Sequence, residues 1–194
     1  MVTRTQYRDV AELHASAINQ GFLPTLGIPF LSFLYETIDC TDGSALFVYR
    51  QNSKIVGFIA GSTDIKLVYR AMTRKWWQLA LTLLPALASP SKLYRIIEIL
   101  LHSRDSKWPE VALPSAELLS ISVAKEFRGN HTADLLFGQL VEYFRSRGVK
   151  KFKIVVGAAL ASAHRFYQRM GAEALLTVEV HRGANSVIYI CDVR

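Results

Sequence analysis

Val123-Ala124-Lys125-Glu126-Phe127-Arg128-Gly129-Asn130-His131-Thr132-Ala133-Asp134-Leu135-Leu136 is the stretch on which the fold turns. Just before it, Glu117 to Val123 reads as a strand, with Leu118, Ile121 and Val123 apolar and Ser120 and Ser122 between them. Just after it, Leu136, Phe137, Leu140, Val141 and Phe144 share one face of a helix predicted over 133–147 and closed by Gly148. A strand that enters a helix through a short glycine-containing loop points unpaired backbone N–H groups and the positive end of the helix dipole at one spot. That spot suits a pyrophosphate, provided small residues let the phosphates reach the amides. Arg128 is placed to add a charge-assisted contact. Taken alone, the junction leaves two readings open: an anion site, or an ordinary strand–helix turn that binds nothing.

Working outward, the first forty residues read as helical. Val10, Leu13, Ala17 and Ile18 recur at helical spacing, and Phe30, Leu31, Leu34, Tyr35 and Ile38 do so again after the loop from Gly21 to Gly27. Two β-prone runs, 45–49 and 55–60, flank Gln51-Asn52-Ser53-Lys54, which suits a hairpin turn. From 62 to 115 the chain has helical character, with Trp76, Trp77, Pro85 and Pro90, then Leu93, Ile96, Ile97 and Leu100. A structureless loop of that length does not suit a compact domain, so the segment reads as an inserted helical pair. Downstream lie a strand at 152–156, a helix at 161–170 ending at Gly171, and strands at 174–181 and 186–192 around a turn at Arg182-Gly183-Ala184-Asn185. The order is that of an α/β sandwich on a mixed sheet.

The 194 residues, half of them apolar, suit a single domain over 1–194 with one proper core. Two cysteines far apart build neither a disulfide framework nor a metal cluster, which points to a reducing, cytoplasmic setting. The first residues lack the apolar run of a secretory leader, and the longest apolar run, Leu79 to Ala88, falls short of the roughly 20 residues of a membrane span. The net charge of +7 fits nucleic acid, an anionic membrane or a polyphosphate cofactor alike. Scattered basic residues and the lack of a stacking-aromatic motif argue against nucleic acid. None of the five histidines has metal-ligand spacing, so no metal is expected, and no Gly-x-Ser-x-Gly elbow calls for an acyl-enzyme. Between Ser62 and Ala116, eight Lys/Arg face four acids, a net +4. With Trp76 and Trp77 alongside, this segment fits a membrane-surface contact or an acidic acceptor; a plain helical cover with a solvated basic face is the competing reading.

The junction resembles the acyl-CoA signature of the GNAT acetyltransferases, in which a strand-ending valine precedes a Gln/Arg-x-x-Gly-x-Gly/Ala loop. Val123 matches the strand end, Phe127 the usual aromatic, Arg128 the Gln/Arg, Ala133 the final Gly/Ala and Leu136 the helix leucine. Downstream, Ala163-His164-Arg165-Phe166-Tyr167-Gln168-Arg169-Met170-Gly171-Ala172 resembles the family's Ala-x-x-Phe-Tyr-x-x-x-Gly-Phe segment. Two motifs in the right order are far more specific than either one. This sequence departs from the pattern twice: His131 stands at the first motif glycine, and Leu160 where asparagine is frequent.

The resemblance implies a mixed, mostly antiparallel sheet flanked by helices, with the helical insertion between the third and fourth strands. It implies acetyl-CoA as cofactor, a small-molecule amine as acceptor (an amino sugar is one fit to the basic insertion) and direct attack of the amine on the thioester. Backbone groups of Ile121, Ser122 and Val123 would hold the pantetheine arm, which adds to the sheet like a strand. Amides of Arg128, Gly129, Asn130, His131, Thr132, Ala133 and Asp134 would hold the pyrophosphate. Tyr167 is the expected general acid and Glu117 the expected base, while Phe22 and Tyr35 are expected in the acceptor wall. A homodimer is a family-level expectation. The alternative class is a GNAT-like acyl-CoA-binding module or scaffold of little or no activity, favoured by His131.

Overall fold

The computed structural model describes residues 4–18, 23–87, 112–181 and 184–193. Two helices open the chain, α1 (Arg4–Ala17) and α2 (Ile28–Cys40), with a 3-10 turn at Leu23–Leu26 before the second. Strands β1 (Ser44–Gln51) and β2 (Lys54–Ser62) follow, then α3 (Ile65–Arg74) and α4 (Trp76–Leu87). After them come β3 (Glu117–Val123), α5 (Thr132–Ser146), β4 (Lys151–Gly157), α6 (Ala161–Arg169), β5 (Glu173–His181) and β6 (Ala184–Asp192). The expected hairpin forms at Asn52 and Ser53, which take φ values of 49° and 64°, as a two-residue primed turn requires.

The sheet runs β1-β2-β3-β4-β6-β5, antiparallel at every pairing except β3 with β4. The α/β sandwich and its mostly antiparallel mixed sheet are thus as the sequence led us to expect. The position of the helical segment needs correction: α3 and α4 enter between the second and third strands, not the third and fourth. The reason is local, since β1 and β2 make one hairpin and, among the described residues, no other strand precedes Glu117. The second half of the expected helical pair, around Leu93 to Leu100, lies outside the described residues, as does the Arg182-Gly183 turn.

Two cores sandwich the sheet. On one face Phe58 and Ala60 of β2 pack with Val10, Leu31, Tyr35 and Ile38 of α1 and α2, and with Val68 and Met72 of α3. On the other face Ile59, Leu118, Phe152, Ile154 and Val156 pack with Leu136, Phe137, Leu140 and Phe144 of α5 and Tyr167 of α6. The alternation of β2 lets α5 lie flush on the sheet, because two of the residues it turns to α5, Gly57 and Gly61 on either side of Ile59, are glycines. A Cβ at Gly61 would sit 2.6 Å from Leu140 Cδ1, and one at Gly57 3.1 Å from Leu136 Cδ1. This close approach holds the first turn of α5 beside the end of β3.

Candidate active site

The central feature is a gap in the sheet. β3 and β4 pair only at Glu117↔Lys153 and Leu118↔Ile154, and no pairing to β4 continues through Leu119–Val123. A β-bulge prepares this divergence: Gly61 opposes Leu118 and Ala60 opposes Ser120, so Leu119 is an extra residue on β3.

The register on the other side says which backbone groups face the gap. Ala124 N–H donates to Val56 at 2.8 Å. The pairs Gly57↔Val123 and Ile59↔Ile121 are therefore of the non-hydrogen-bonded kind, with their own N–H and C=O turned away from β2. Ile121 and Val123 thus aim these groups at the gap. The Val123 carbonyl accepts from Arg128 Nε at 3.0 Å, which ties the loop back to the strand that precedes it. Arg128 acts here as a brace, with the rest of its exposed guanidinium free of the strand. Ser122, expected beside Ile121 and Val123, is buried and sits opposite Phe58, on the α1–α2 side.

At the mouth of the gap stands the N-terminus of α5. His131 is its N-cap in the left-handed region, φ 55° and ψ 7°, and gives no side-chain cap to the helix. Gly129 also has positive φ, 86°, and nothing lies within 4 Å of where its Cβ would be. The N–H groups of the first helical turn, Thr132, Ala133 and Asp134, have no partner within the helix, and the dipole adds positive potential. His131 thus adopts the backbone shape a glycine would supply there, and its imidazole turns to Asp134, with Nδ1 2.9 Å from Oδ2. Asp134 is also gripped by both terminal nitrogens of Arg169 from α6, at 2.9 and 2.7 Å. First the Arg169 bonds and then His131 hold its carboxyl down at about 2. A negative side chain in the first turn of a would-be phosphate cradle is thereby neutralised.

On the α1–α2 face, at the closed end of the gap, Glu117 pairs with Lys153 at 3.2 Å, and Lys153 Nζ also donates to Pro114 O at 2.9 Å. Burial raises the Glu117 pKa, and Lys153 opposes the rise. Tyr69 on α3 keeps about half its surface in water. Its hydroxyl is nevertheless pushed up, first by desolvation and then by the Glu117 charge, which puts its polar end within range of that acid.

Tyr167 lies on the other face, 6% exposed, its ring against Phe166 and Tyr189. Desolvation raises its pKa, so the hydroxyl keeps its proton through the working range. The one enclosed side-chain N or O atom without a partner among the described residues is His14 Nε2. Among the described residues the Tyr167 hydroxyl has no hydrogen-bond partner, and its oxygen is not fully enclosed. Nearby His164 spans to Tyr189 Oη at 2.8 Å and to the Gly157 carbonyl at 3.1 Å, which fixes the end of β4 against α6.

Of the acceptor-wall candidates, Phe22 lies outside the described residues. Tyr35 departs from its expected place: at 1% exposure it is a core side chain rather than part of an open wall. Its hydroxyl still reaches the site from beneath, 2.9 Å from Ser120 Oγ and 2.5 Å from His14 Nδ1. Ser120 is turned to this face by the bulge. His14–Tyr35–Ser120 is thus a buried polar line from α1 to the divergent strand, in which Nε2 of His14 is enclosed without a partner whichever way the protons run. Sequence reading missed His14, Ser120, His164 and Arg169. Ser120 carried a faint signal, as a polar residue between apolar ones; the others carried none, since their partners are distant in sequence.

These features fit an acyl-CoA: an open strand edge for an amide-bearing arm, ending at an uncapped helix N-terminus for a pyrophosphate. The comparisons agree. The sequence profile described as the acetyltransferase (GNAT) family matches residues 15–172. No curated protein sequence matches. Among solved structures, the chain resembles an N-acetyltransferase from Staphylococcus aureus Mu50, with 13% identity, TM-score 0.64, and 99% of this chain and 95% of that one covered. It resembles the ribosomal-protein-S18-alanine N-acetyltransferase from Escherichia coli at 13% identity and TM-score 0.58, covering 97% and 88%. It also resembles an aminoglycoside 6'-N-acetyltransferase complexed with coenzyme A, at 10% identity and TM-score 0.61, covering 98% and 92%. With the profile spanning most of the sequence and the fold agreeing throughout, the chain belongs to the acetyltransferase (GNAT) family, the acyltransferases that draw on acetyl-CoA.

Proposed function

We propose that this enzyme acetylates the primary amine of a small-molecule acceptor, with an amino sugar as the first class to test. The observation that carries this reading is the β3–β4 gap, whose exposed backbone edge runs into the uncapped start of α5. Acetyl-CoA, when bound, supplies an activated acyl group. In this reading Ile121 holds the arm by its N–H and C=O and Val123 by its N–H, its carbonyl being taken by Arg128, and Ser122 between them keeps the strand in register with β2. Amides from Arg128 through Asp134 hold the pyrophosphate, and the Arg169–Asp134 pair prevents a carboxylate from repelling it.

The acceptor nitrogen must be neutral to attack, and Glu117 is placed at the closed end of the gap to take its proton. Its raised pKa makes it a better base than an exposed carboxylate. Tyr167, on the opposite face, holds a proton on a hydroxyl that is not fully enclosed and can give it to the departing thiolate. The scaffold alternative drew its support from His131. That support weakens now that the imidazole is turned onto Asp134.

Calorimetry with acetyl-CoA, followed by a thiol-release screen of amines, tests the reading. Stoichiometric binding with turnover on amino sugars is expected. Binding without turnover on any amine returns the protein to the acyl-CoA-binding alternative, and no binding at millimolar cofactor refutes catalysis and leaves the scaffold reading.

A further inference from the structure

Helix α4 is apolar except for Gln78 and Thr82. Leu79 and Leu83 face the core formed with α1 and α2. On the outer side Trp77, Leu81 and Leu84, spaced one and two turns apart, stand 53%, 57% and 57% exposed, with Trp76 beside them at 70%. Among the described residues nothing closes over this stripe of leucines and indoles, and an exposed apolar patch of this kind marks a contact surface. Its neighbour α3 is amphipathic, with Val68 and Met72 buried and Lys66, Arg70 and Arg74 exposed. Within α3 and α4 there is no acid, and among the described residues none of these three cations, nor Lys75 between the helices, is in an ion pair. Two helices in contact therefore offer unpaired cations on α3 and exposed indoles and leucines on α4.

We propose that the α3–α4 face docks this enzyme on an anionic lipid surface. An acidic soluble partner would satisfy the cations but leave the leucine stripe wet. A second copy meeting this one through the same face would set like charges against each other. An anionic bilayer satisfies both parts: its headgroups take the lysines and arginines, and its interfacial zone takes tryptophan and leucine. Both helices rest on α2, and α4 also touches the 3-10 turn Leu23–Leu26 that precedes α2.

The test is co-sedimentation of the full-length protein with vesicles of phosphatidylcholine containing about a third phosphatidylglycerol, with tryptophan emission recorded in parallel. Expected are pelleting at low salt, a blue shift of the emission, and release as salt rises. The Leu81→Ser/Leu84→Ser variant should lose at least about tenfold in partitioning. Arg70→Gln and Arg74→Gln should each lose about fivefold on anionic vesicles, with no change on neutral ones. Acetyl-CoA affinity, measured on every variant, serves as the fold control and should not move. Wild-type protein that ignores anionic vesicles at low salt overturns the proposal, as do stripe variants that bind as well as wild type. So does a concentration-dependent dimer that the stripe variants abolish without any lipid effect, which would make a second copy the occupant. Vesicle binding without acetyl-CoA binding would sink the enzymatic reading and leave the docking surface standing; the reverse result would do the opposite.

Discussion

Replacing His14 by phenylalanine should flatten the acid limb of this protein's stability curve. His14 is 3% exposed, stacked on Phe58 at 6.2 Å, and its Nε2 has no partner. Burial lowers its pKa from 6.5 to about 4. The unfolded chain therefore binds a proton on this residue at a pH where the folded one refuses it. Stability from this residue is fully present above pH 6.5 and is lost as pH falls toward the folded value of about 4. At 1.36 kcal/mol per unit, the loss reaches about 2.5 kcal/mol by about pH 4.5. For a chain of this size that is a fall of roughly 5–10 °C in Tm. Phenylalanine keeps the ring against Phe58 and removes the titration. It also strips Tyr35 of one partner, so the variant has its own offset at pH 7. The informative quantity is the difference between wild type and variant as a function of pH, taken from urea unfolding at several values between 7 and 4.5. That difference should shift in the variant's favour by about 2.5 kcal/mol across the range. Parallel curves, or an imidazole resonance of His14 titrating near 6.5, would refute the argument that this side chain is enclosed and neutral.

Gly61→Ala should cost about 1–3 kcal/mol by overpacking, because its Cβ would meet Leu140 Cδ1 at 2.6 Å, and thermal unfolding reads this directly. The Asp134 carboxyl, held down at about 2 by Arg169 and His131, contributes stability present above its ordinary 3.8 and lost as pH falls through about 2. In Arg169→Ala its carboxyl resonance should titrate closer to 3.8, and acetyl-CoA affinity should drop. Tyr167→Phe should lower kcat roughly 100-fold with little change in acetyl-CoA affinity if the hydroxyl is the proton donor; an unchanged kcat makes it a packing residue. Glu117 has a raised pKa, so kcat/KM should rise with pH through a value above the ordinary carboxylate range, and Glu117→Gln should abolish that limb. An identical pH profile in the variant excludes Glu117 as the base.

The junction from Val123 to Leu136 was legible in the sequence because its determinants are local. Strand alternation, a loop with glycine and a helical apolar stripe each speak within a few residues. The same holds for the Asn52-Ser53 hairpin and for β3, whose bounds match the expected Glu117–Val123. Which residues gather around that junction was a different matter. That β3 and β4 part after Leu118 depends on a bulge at Leu119, and nothing in Leu-Leu-Ser distinguishes a bulged strand from a straight one. Tyr35 has the period of a core residue and of a wall residue alike; only the stacking of α1 and α2 on the sheet decided that its ring is enclosed and its hydroxyl delivered to Ser120. Arg169 and Asp134 are 35 residues apart, and their meeting needed α6 to be laid beside α5. Helix α4 shows the limit from the other side. Its sequence is apolar but for Gln78 and Thr82, and only its packing on α2 divides Leu79 and Leu83 from Trp77, Leu81 and Leu84. Sequence by itself determined the strand, loop and helix of the junction, because backbone preference and short-range pattern suffice for these, and its two motifs carried the family resemblance. Tertiary structure alone decided which polar groups are enclosed, paired or left open, because desolvation and hydrogen bonding depend on neighbours that only the fold brings together.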